Sequence, residues 1–218
     1  MAANTAITEL IMNLLKIGSS KMETQRKSEK ILNAHFIYIQ QQPSENLKEN
    51  YQLIAKHIQE AGKKYRSILF ASVHLRSLPV TIPVNVGIRL AKDKKRCLLI
   101  DLDLKRDAIA RVFELDSQNS LNPMAIETEI ENLWVWPAHQ FTQLKQMNME
   151  MIVEKAASKF DFILINAPQL ITSPDRRQII QAANAAFICA ENDWQAIKLT
   201  ELIKPTKCKI IGHIQTSL

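Results

Sequence analysis

The sequence predicts an α/β protein with a doubly wound, mostly parallel sheet in a three-layer (α/β/α) arrangement and an N-terminal helical extension. Continuous apolar runs such as "SILFAS" and "FDFILINAP" are typical of strands that are buried on both faces. From about Lys48 onward these runs alternate with helical patterns, which favours parallel strands joined by crossover helices. We place the extension at residues 1–46 and the α/β domain at residues 47–218.

The elements of the domain follow one another in regular order. The first helix, "LKENYQLIAKHIQEAG", ends at Gly62, because glycine commonly stops a helix. Each predicted strand is a short apolar run bounded by polar residues. The predicted strands cover residues 67–72, 97–101, 132–138, 160–168, 185–190 and 209–214, and the helices between them cover about 80–93, 144–158, 174–183 and 193–203.

Residues 5–17 predict an amphipathic helix that begins after the capping residue Thr5. Its apolar stripe has no obvious place in the α/β core, so we expect another surface to cover it. We favour a protein partner or a second subunit, with the polar stretch after Gly18 as a tether. The chain's own domain is the alternative cover, and a membrane is the least favoured because the polar face is not basic. The stripe consists of Ile7, Leu10, Ile11, Leu14 and Leu15.

Composition is typical of a globular protein of the cytoplasm. Hydrophobic residues make up 46% and charged residues 23% of the chain, the balance of a protein with a buried core. No apolar segment approaches the ~18 residues that would span a membrane, and no signal-peptide pattern is present. Cys97, Cys189 and Cys208 each lie in an apolar, strand-like run, which indicates buried thiols rather than disulfides or a metal site.

The net charge of +6 comes from scattered residues. The densest basic run, residues 92–96, lies at a predicted helix end, where bases complement the helix dipole; an acidic partner or a lipid surface is the alternative. The histidines show no ligand spacing, so we expect no metal site. The sequence has no basic stripe and no helix-turn-helix pattern, so we expect that the chain does not bind nucleic acid.

The segment from Ser67 to Asp107 carries the motif that bears on function. It places "SVHLRSLPVTIPVNVGIRLA" between the strand "SILFAS" and "CLLIDLDLKRD". Without a gap it resembles the start of the deviant Walker ATPases, above all the cytoplasmic domain of the bacterial tyrosine kinases that govern exopolysaccharide export, and more distantly MinD and ParA. "NLWVWPA", "KFDFILINAPQL" and "AANAAFICAEND" are similar to later strands of that family, in the same order. The resemblance spans about residues 47–214 and implies a P-loop NTPase fold.

In this register the family's nucleotide-binding residues are replaced. Phosphate loops wrap an anion with backbone N–H groups, which glycines permit, and add a lysine charge and a magnesium-binding hydroxyl. Here the glycines fall on larger side chains, the lysine falls on a proline, and the Walker B aspartate falls on an asparagine. We therefore expect that ATP and magnesium do not bind, that no residue is catalytic, and that the chain needs no cofactor. The vestigial site comprises His74, Arg76, Leu78, Pro79, Val80, Thr81, Asp101, Asp103 and Asn166.

Asp101 and Asp103 keep the family's positions, where the resemblance implies a role in holding magnesium and activating the phosphoryl acceptor. From the residues alone, the two carboxylates can also cap the next helix or pair with Lys105 and Arg106. We expect Asp101 to be partly solvated. Charge alone suggests that Arg76 pairs with one of the two carboxylates.

The sequence therefore favours a pseudo-kinase or pseudo-ATPase that acts as a structural or regulatory subunit of a bacterial envelope machine. The resemblance implies exopolysaccharide or cellulose synthesis and secretion, protein partners of that complex, and a cytoplasmic chain that a partner recruits to the inner membrane without insertion. A nucleotide-dependent regulator with an unorthodox loop and a ParA-like positioning factor are the alternatives. Self-association stays open, since "ENYQLIA" keeps Glu49 of the family's ring-forming motif but has Gln52 and Ala55 for its arginines.

Overall fold

The computed structural model describes residues 35–40, 46–62, 64–115, 125–141 and 148–217 of the 218-residue chain. Within these ranges the chain alternates between strands and helices, with a short 3₁₀ turn at Leu170–Thr172. The strands are β1 (His35–Gln40), β2 (Ser67–Ser72), β3 (Cys97–Asp101), β4 (Ile126–Glu127), β5 (Leu133–Trp136), β6 (Phe162–Ala167), β7 (Ala185–Ala190) and β8 (Lys209–Ser217). The helices are α1 (Asn46–Ala61), α2 (Thr81–Lys92), α3 (Ala108–Val112), α4 (Ala138–Phe141), α5 (Met149–Ala157), α6 (Arg176–Ala182) and α7 (Asp193–Ile203).

The strands form one sheet in the order β1-β8-β7-β2-β6-β3-β5-β4. All neighbours pair in parallel except β4 and β5, which are antiparallel. In the strand order, β3 lies to one side of β2 and β7 lies to the other. The chain therefore runs first toward β3 and later reverses to reach β7. A ligand of a doubly wound sheet binds at such a reversal, beyond the carboxyl ends of the strands. The fold thus directs attention to the ends of β2, β6 and β3.

Helices cover both faces of the sheet, which explains why the central strands are apolar throughout. Alternate residues of each strand enter one of two cores, so β2, β3, β6 and β7 are buried along their whole length. Phe70 and Phe187 stack across neighbouring strands in the core beneath α1 and α2, with ring centroids 5.5 Å apart. Gly87 lets α2 approach β3, because a Cβ atom there would lie 2.9 Å from Cδ2 of Leu99. The second core lies beneath α5, α6 and α7.

The structure confirms the predicted fold class and most of the predicted elements. The predicted bounds of β2, β3, β7 and α7 agree with the structure, and the other predicted elements differ by a few residues at their ends. Residues 35–40, which the sequence places in the N-terminal extension, form β1 and pair in parallel with β8. Their run "HFIYIQ" is rich in β-branched and aromatic residues, which is a strand signal. The predicted helix at 5–17 lies outside the described residues.

Candidate functional site

The described structure brings three of the sequence-predicted polar residues together at the carboxyl edge of the sheet. Asp101 ends β3 and pairs in register with Asn166 of β6. Asp103 follows two residues later, and its backbone N–H donates to Oδ1 of Asp101 at 2.9 Å. All three side chains are buried. We call Asp101, Asp103 and Asn166 the polar cluster.

Both oxygens of Asp101 accept hydrogen bonds within the protein. Its Oδ1 accepts from the Asn166 side-chain amide at 2.8 Å as well as from Asp103, and its Oδ2 accepts from the backbone N–H of Ile109 at 3.0 Å. Burial raises the pKa of the Asp101 carboxyl above its ordinary value, although these three donors act in the opposite direction. The expectation of a partly solvated Asp101 is therefore wrong, because its exposed fraction is 0%.

Asp103 pairs with a base of its own loop. Its carboxylate contacts Nε of Arg106 and accepts from the Arg106 backbone N–H at 3.3 Å. Arg76 lies exposed on the loop after β2 and forms no ion pair with either aspartate, so the pairing suggested for it is not seen. Of the two local roles considered for these aspartates, Asp101 bonds the first turn of α3 and Asp103 pairs with a neighbouring base. Lys105 is exposed.

The loop at residues 73–80 does not have the backbone shape of a phosphate loop. A concave anion site needs successive N–H groups turned inward, with some residues in the left-handed region. No residue from 73 to 80 has a positive φ, and Pro79 carries no N–H. The Ser77 N–H already donates to the His74 carbonyl at 3.1 Å, and α2 starts without a side-chain cap. One N–H of the loop is thus already used within the loop.

Side chains fix this loop in place from below. Leu78 is 0% exposed and belongs to the core beneath α1 and α2. Pro79 and Val80 are half-buried, whereas His74 and Thr81 are exposed. Ser77 is also buried, and its hydroxyl lies 2.9 Å from Oε1 of Gln195 and 3.1 Å from Oε1 of Glu191.

Two sets of contacts at this edge were missed by the sequence analysis. Ser77 joins the loop to the junction of β7 and α7 through Glu191 and Gln195. Asp107, which has a left-handed backbone (φ 46°), accepts from the Ala138 N–H at 2.8 Å and contacts Nδ1 of His139. These partners are up to 118 residues apart in sequence and follow no local spacing. Only the chain topology brings them together.

The residues present do not fit a magnesium nucleotide. Magnesium needs oxygen ligands, yet both oxygens of Asp101 accept N–H groups and Val80 has none in its side chain. Asn166 presents a donor to Asp101 where the Walker B position would supply a negative oxygen. The β- and γ-phosphates would lack a lysine at Pro79. That the vestigial site binds no magnesium nucleotide stays a prediction.

Three cysteines and one histidine are also buried. Cys97, Cys189 and Cys208 are free thiols, and burial raises the pKa of Cys208 to about 12. Burial also lowers the pKa of His213 to about 4. Within the described ranges no group of three His, Cys, Asp or Glu side chains could hold a metal ion. In those same ranges, every helix is too short or too polar to cross a bilayer.

Curated relatives of this chain are named as tyrosine kinases. It is 24% identical over 227 residues to "Tyrosine-protein kinase CpsD" of Streptococcus pneumoniae, covering 95% of this chain and 92% of that protein. It is 22% identical to "Putative tyrosine-protein kinase CapB" of Staphylococcus aureus, covering 82% and 87%. It is 28% identical over 136 residues to "Tyrosine-protein kinase ptk" of Acinetobacter johnsonii, of which it spans only 19%. No protein-family model matches the chain.

Solved structures share the fold at low sequence identity. The chimerical protein CapA2B2 gives a TM-score of 0.72 at 19% identity, covering 88% of this chain and 98% of that one. The kinase domain of the Escherichia coli tyrosine kinase ETK gives 0.65 at 14% identity, covering 80% and 77%. MinD of Pyrococcus horikoshii, solved with Mg-ADP, gives 0.59 at 19% identity, covering 69% of each chain. The chain is thus a relative of the bacterial tyrosine-protein kinases, with the P-loop fold that these kinases share with the MinD ATPases.

Proposed function

We propose that this chain is a non-catalytic structural or regulatory subunit of a bacterial envelope machine that makes or exports exopolysaccharide or cellulose. The observation that carries the proposal is the internal bonding of Asp101. Both of its oxygens are occupied by protein N–H groups, one of them from Asn166. We infer that a buried carboxylate bonded in this way stabilises the end of the sheet instead of binding a metal.

The proposal has two parts that rest on different support. The non-catalytic part rests on the polar cluster and on the loop at 73–80. The link to envelope polysaccharide rests on the resemblance to the kinases of exopolysaccharide export, and cellulose is the finer suggestion within it. Fold alone does not fix function, so the two parts need separate tests.

A nucleotide titration tests the first part. We expect no measurable heat when ATP with magnesium is titrated into the full chain, and no rise in melting temperature at millimolar nucleotide. A ligand that binds only the native state at 100 times its Kd would add about 2.7 kcal/mol of stability. An intact bacterial tyrosine kinase of this family, measured in parallel, serves as the positive control. A micromolar Kd for this chain would contradict the proposal.

The alternative function is a nucleotide-dependent regulator that uses an unorthodox loop. It is favoured by the match to CpsD, a protein named as a tyrosine kinase, over 95% of this chain. The same titration distinguishes the two functions, because a regulator of this kind must bind a nucleotide. Phosphate release at a rate above that of a buffer blank would support the alternative.

The partners we propose are proteins of the same polysaccharide complex, which would bring this chain to the inner membrane. The expected contact is the apolar stripe of residues 5–17. Deletion of residues 1–20 should abolish association with the neighbouring secretion proteins and leave the melting temperature of the rest nearly unchanged. Unchanged association together with a large fall in melting temperature would mean that the helix belongs to the fold.

Self-association through the first helix is not favoured by its surface. Glu49 and Gln52 of α1 are exposed, but Ala55 is only 1% exposed. A second subunit therefore cannot reach the position of the family's second arginine without displacing core residues. Any homo-oligomer of this chain would use another contact.

A further inference from the structure

The amino ends of the parallel strands form a row of bases at the edge opposite the polar cluster. Arg66 precedes β2, Arg96 precedes β3, and Lys209 begins β8. Backbone hydrogen bonds join each of these strand starts to a neighbour: the Ile163 N–H donates to the Arg66 carbonyl at 2.9 Å, the Asp161 N–H donates to the Arg96 carbonyl at 2.8 Å, and the Lys209 N–H donates to the Asn184 carbonyl at 2.9 Å. All three bases are exposed. Because neighbouring strands lie about 4.8 Å apart, the row crosses most of the sheet.

More bases surround this row on both sides of the sheet. Beneath α1 and α2, exposed Lys64 follows the first helix, and the exposed lysines of residues 92–95 end or follow the second. On the other side, Lys155 and Lys159 end or follow α5. The positive charge therefore spreads in two dimensions instead of following one line.

Two further lysines complete the surface. Lys204 and Lys207 follow α7 and are exposed. We call this whole surface, from the row of bases to the lysines at the helix ends, the basic edge.

Carboxylates offset part of the basic edge. Asp93 is paired with Arg89 at 3.4 Å, and Asp161 accepts from the Arg96 N–H at 2.8 Å. The other acids at this end of the described chain are exposed: Glu60, Glu129, Glu131, Glu154 and Glu201. The helix ends contribute partial negative charge, which explains a base in a last turn but not those beyond it. Bases therefore outnumber acids at this end of the described chain.

We infer that the basic edge binds the surface of a bilayer rich in anionic lipid headgroups. The negative headgroups of a bilayer form a plane, so they can contact a broad two-dimensional array of lysines. A nucleic-acid duplex would contact only one line of these lysines. Single strands would also need exposed aromatic side chains, but Tyr65 and Phe160 at this edge are half-buried. Lysine ammonium groups are attracted to an anionic surface without needing a fixed partner geometry.

The binding would be peripheral and oriented. The large apolar side chains that are exposed near a strand or helix end, such as Leu104 and Trp194, lie toward the opposite edge, so among the described residues we expect no apolar insertion at the basic edge. The polar cluster would face away from the bilayer, one strand length above it. That orientation leaves the loop at 73–80 open to protein partners. The inference does not depend on whether the chain binds nucleotide.

Vesicle co-sedimentation of the full chain tests the inference. The test variant combines Lys95→Gln, Lys159→Gln and Lys207→Gln, one lysine from each part of the basic edge around the row. The matched control combines Lys48→Gln, Lys56→Gln and Lys105→Gln, which removes the same charge from exposed positions elsewhere. Vesicles contain either phosphatidylcholine alone or phosphatidylcholine with about one third phosphatidylglycerol.

We expect binding to the anionic vesicles only, weakened by salt because exposed charges are screened. The test variant should lose about 100-fold in affinity, since each base contributes roughly 1 kcal/mol near such a surface and 1.4 kcal/mol is a factor of ten. The control variant should lose much less affinity than the test variant. Equal losses in both variants, or equal binding to neutral vesicles, would overturn the inference. Tighter binding to duplex DNA of random sequence at the same salt would also overturn it. Equal melting temperatures show that both variants are folded.

Discussion

In the loop at 73–80, an apolar side chain enters the core, whereas at the ends of β3 and β6 buried polar side chains form hydrogen bonds. The loop contains Leu78, which enters the core, and Pro79, which has no N–H. The polar cluster keeps Asp101 and Asp103 at the family's positions, with Asn166 as a donor between the strands. Both regions lie at the same edge of the same sheet.

The two regions show two different ways of stabilising one edge of the sheet. In the loop, burial of an apolar side chain adds stability through the hydrophobic effect. In the polar cluster, the Asn166 amide donates a hydrogen bond to the buried Asp101 carboxylate. A buried carboxylate needs such donors, because a buried charge without partners is costly. Substitutions in each region should therefore reduce stability for different reasons.

The largest effect is expected from Leu78→Ala. The side chain is 0% exposed, so truncation leaves a cavity in the core beneath α1 and α2. We expect a loss of about 3–4 kcal/mol in the free energy of unfolding, measured by denaturant titration. A loss below about 1 kcal/mol would show that the Leu78 side chain is not packed in the core.

Leu104→Ala is the matched control for that substitution. Leu104 lies at the same edge after β3 but is 48% exposed. Its truncation should cost less than about 1 kcal/mol, because little apolar surface is returned to water. Equal losses in the two variants would show that Leu78 is not anchored in the core.

Asp101→Ala should give the next largest effect. The substitution leaves the N–H groups of Asp103 and Ile109 and the amide of Asn166 without an acceptor. We expect a loss of about 2–4 kcal/mol by denaturant titration, since each buried donor left unpaired costs roughly 1–3 kcal/mol and relaxation recovers part of the sum. The relief of a desolvated charge lowers the total further.

Asp175→Ala controls for the loss of an aspartate as such. Asp175 is exposed before α6 and makes no side-chain cap hydrogen bond. We expect a change within about 0.5 kcal/mol. If Asp101→Ala costs no more than this control, the bonding of Asp101 does not stabilise the fold and the basis of the proposed function is removed.

Most of the fold could be predicted because strand and helix patterns are local. The bounds of β2, β3 and β7 follow from continuous apolar runs, because each of these strands is buried on both faces of the sheet. The segment at 35–40 was missed because it stands apart from the regular alternation and pairs with β8, which is more than 170 residues later in the chain. Such pairing depends on contacts that no local pattern specifies.

The candidate site was predicted in its positions but not in its bonding. The register of the resemblance located Asp101, Asp103 and Asn166 at one edge, and the structure places them there. The predicted solvent exposure of Asp101 was wrong, because its burial depends on contacts with Ile109 and Asn166 that the sequence does not specify. The anchoring of Ser77 by Gln195 could not be read from spacing, since the two residues are 118 positions apart.

The smallest expected effect, and the most selective, is a pH-dependent loss of stability in Asn166→Asp. The amide nitrogen of Asn166 lies 2.8 Å from Oδ1 of Asp101, so the substitution places two carboxyls at hydrogen-bond distance in a buried site. Only one of them can ionise readily, and the folded pKa of the pair rises above the unfolded value. A raised carboxyl pKa leaves stability intact below the unfolded pKa and removes it as the pH rises through the folded pKa. Burial already gives wild-type Asp101 a shift of this sign.

The variant should therefore be close to wild type near pH 4 and less stable by about 1–2 kcal/mol near pH 8, since one pKa unit is worth 1.36 kcal/mol. Urea titrations at the two pH values measure the difference. Asn148→Asp is the control, because Asn148 is an exposed cap that accepts from the Glu150 N–H and aspartate caps equally well. Millimolar magnesium should leave the loss in place, since the pair would gain no further ligand from Val80. Recovery of wild-type stability with magnesium would contradict the expectation, because it would show that one restored carboxylate is enough to bind a metal there. A loss that is the same at both pH values would show that the two carboxyls do not interact.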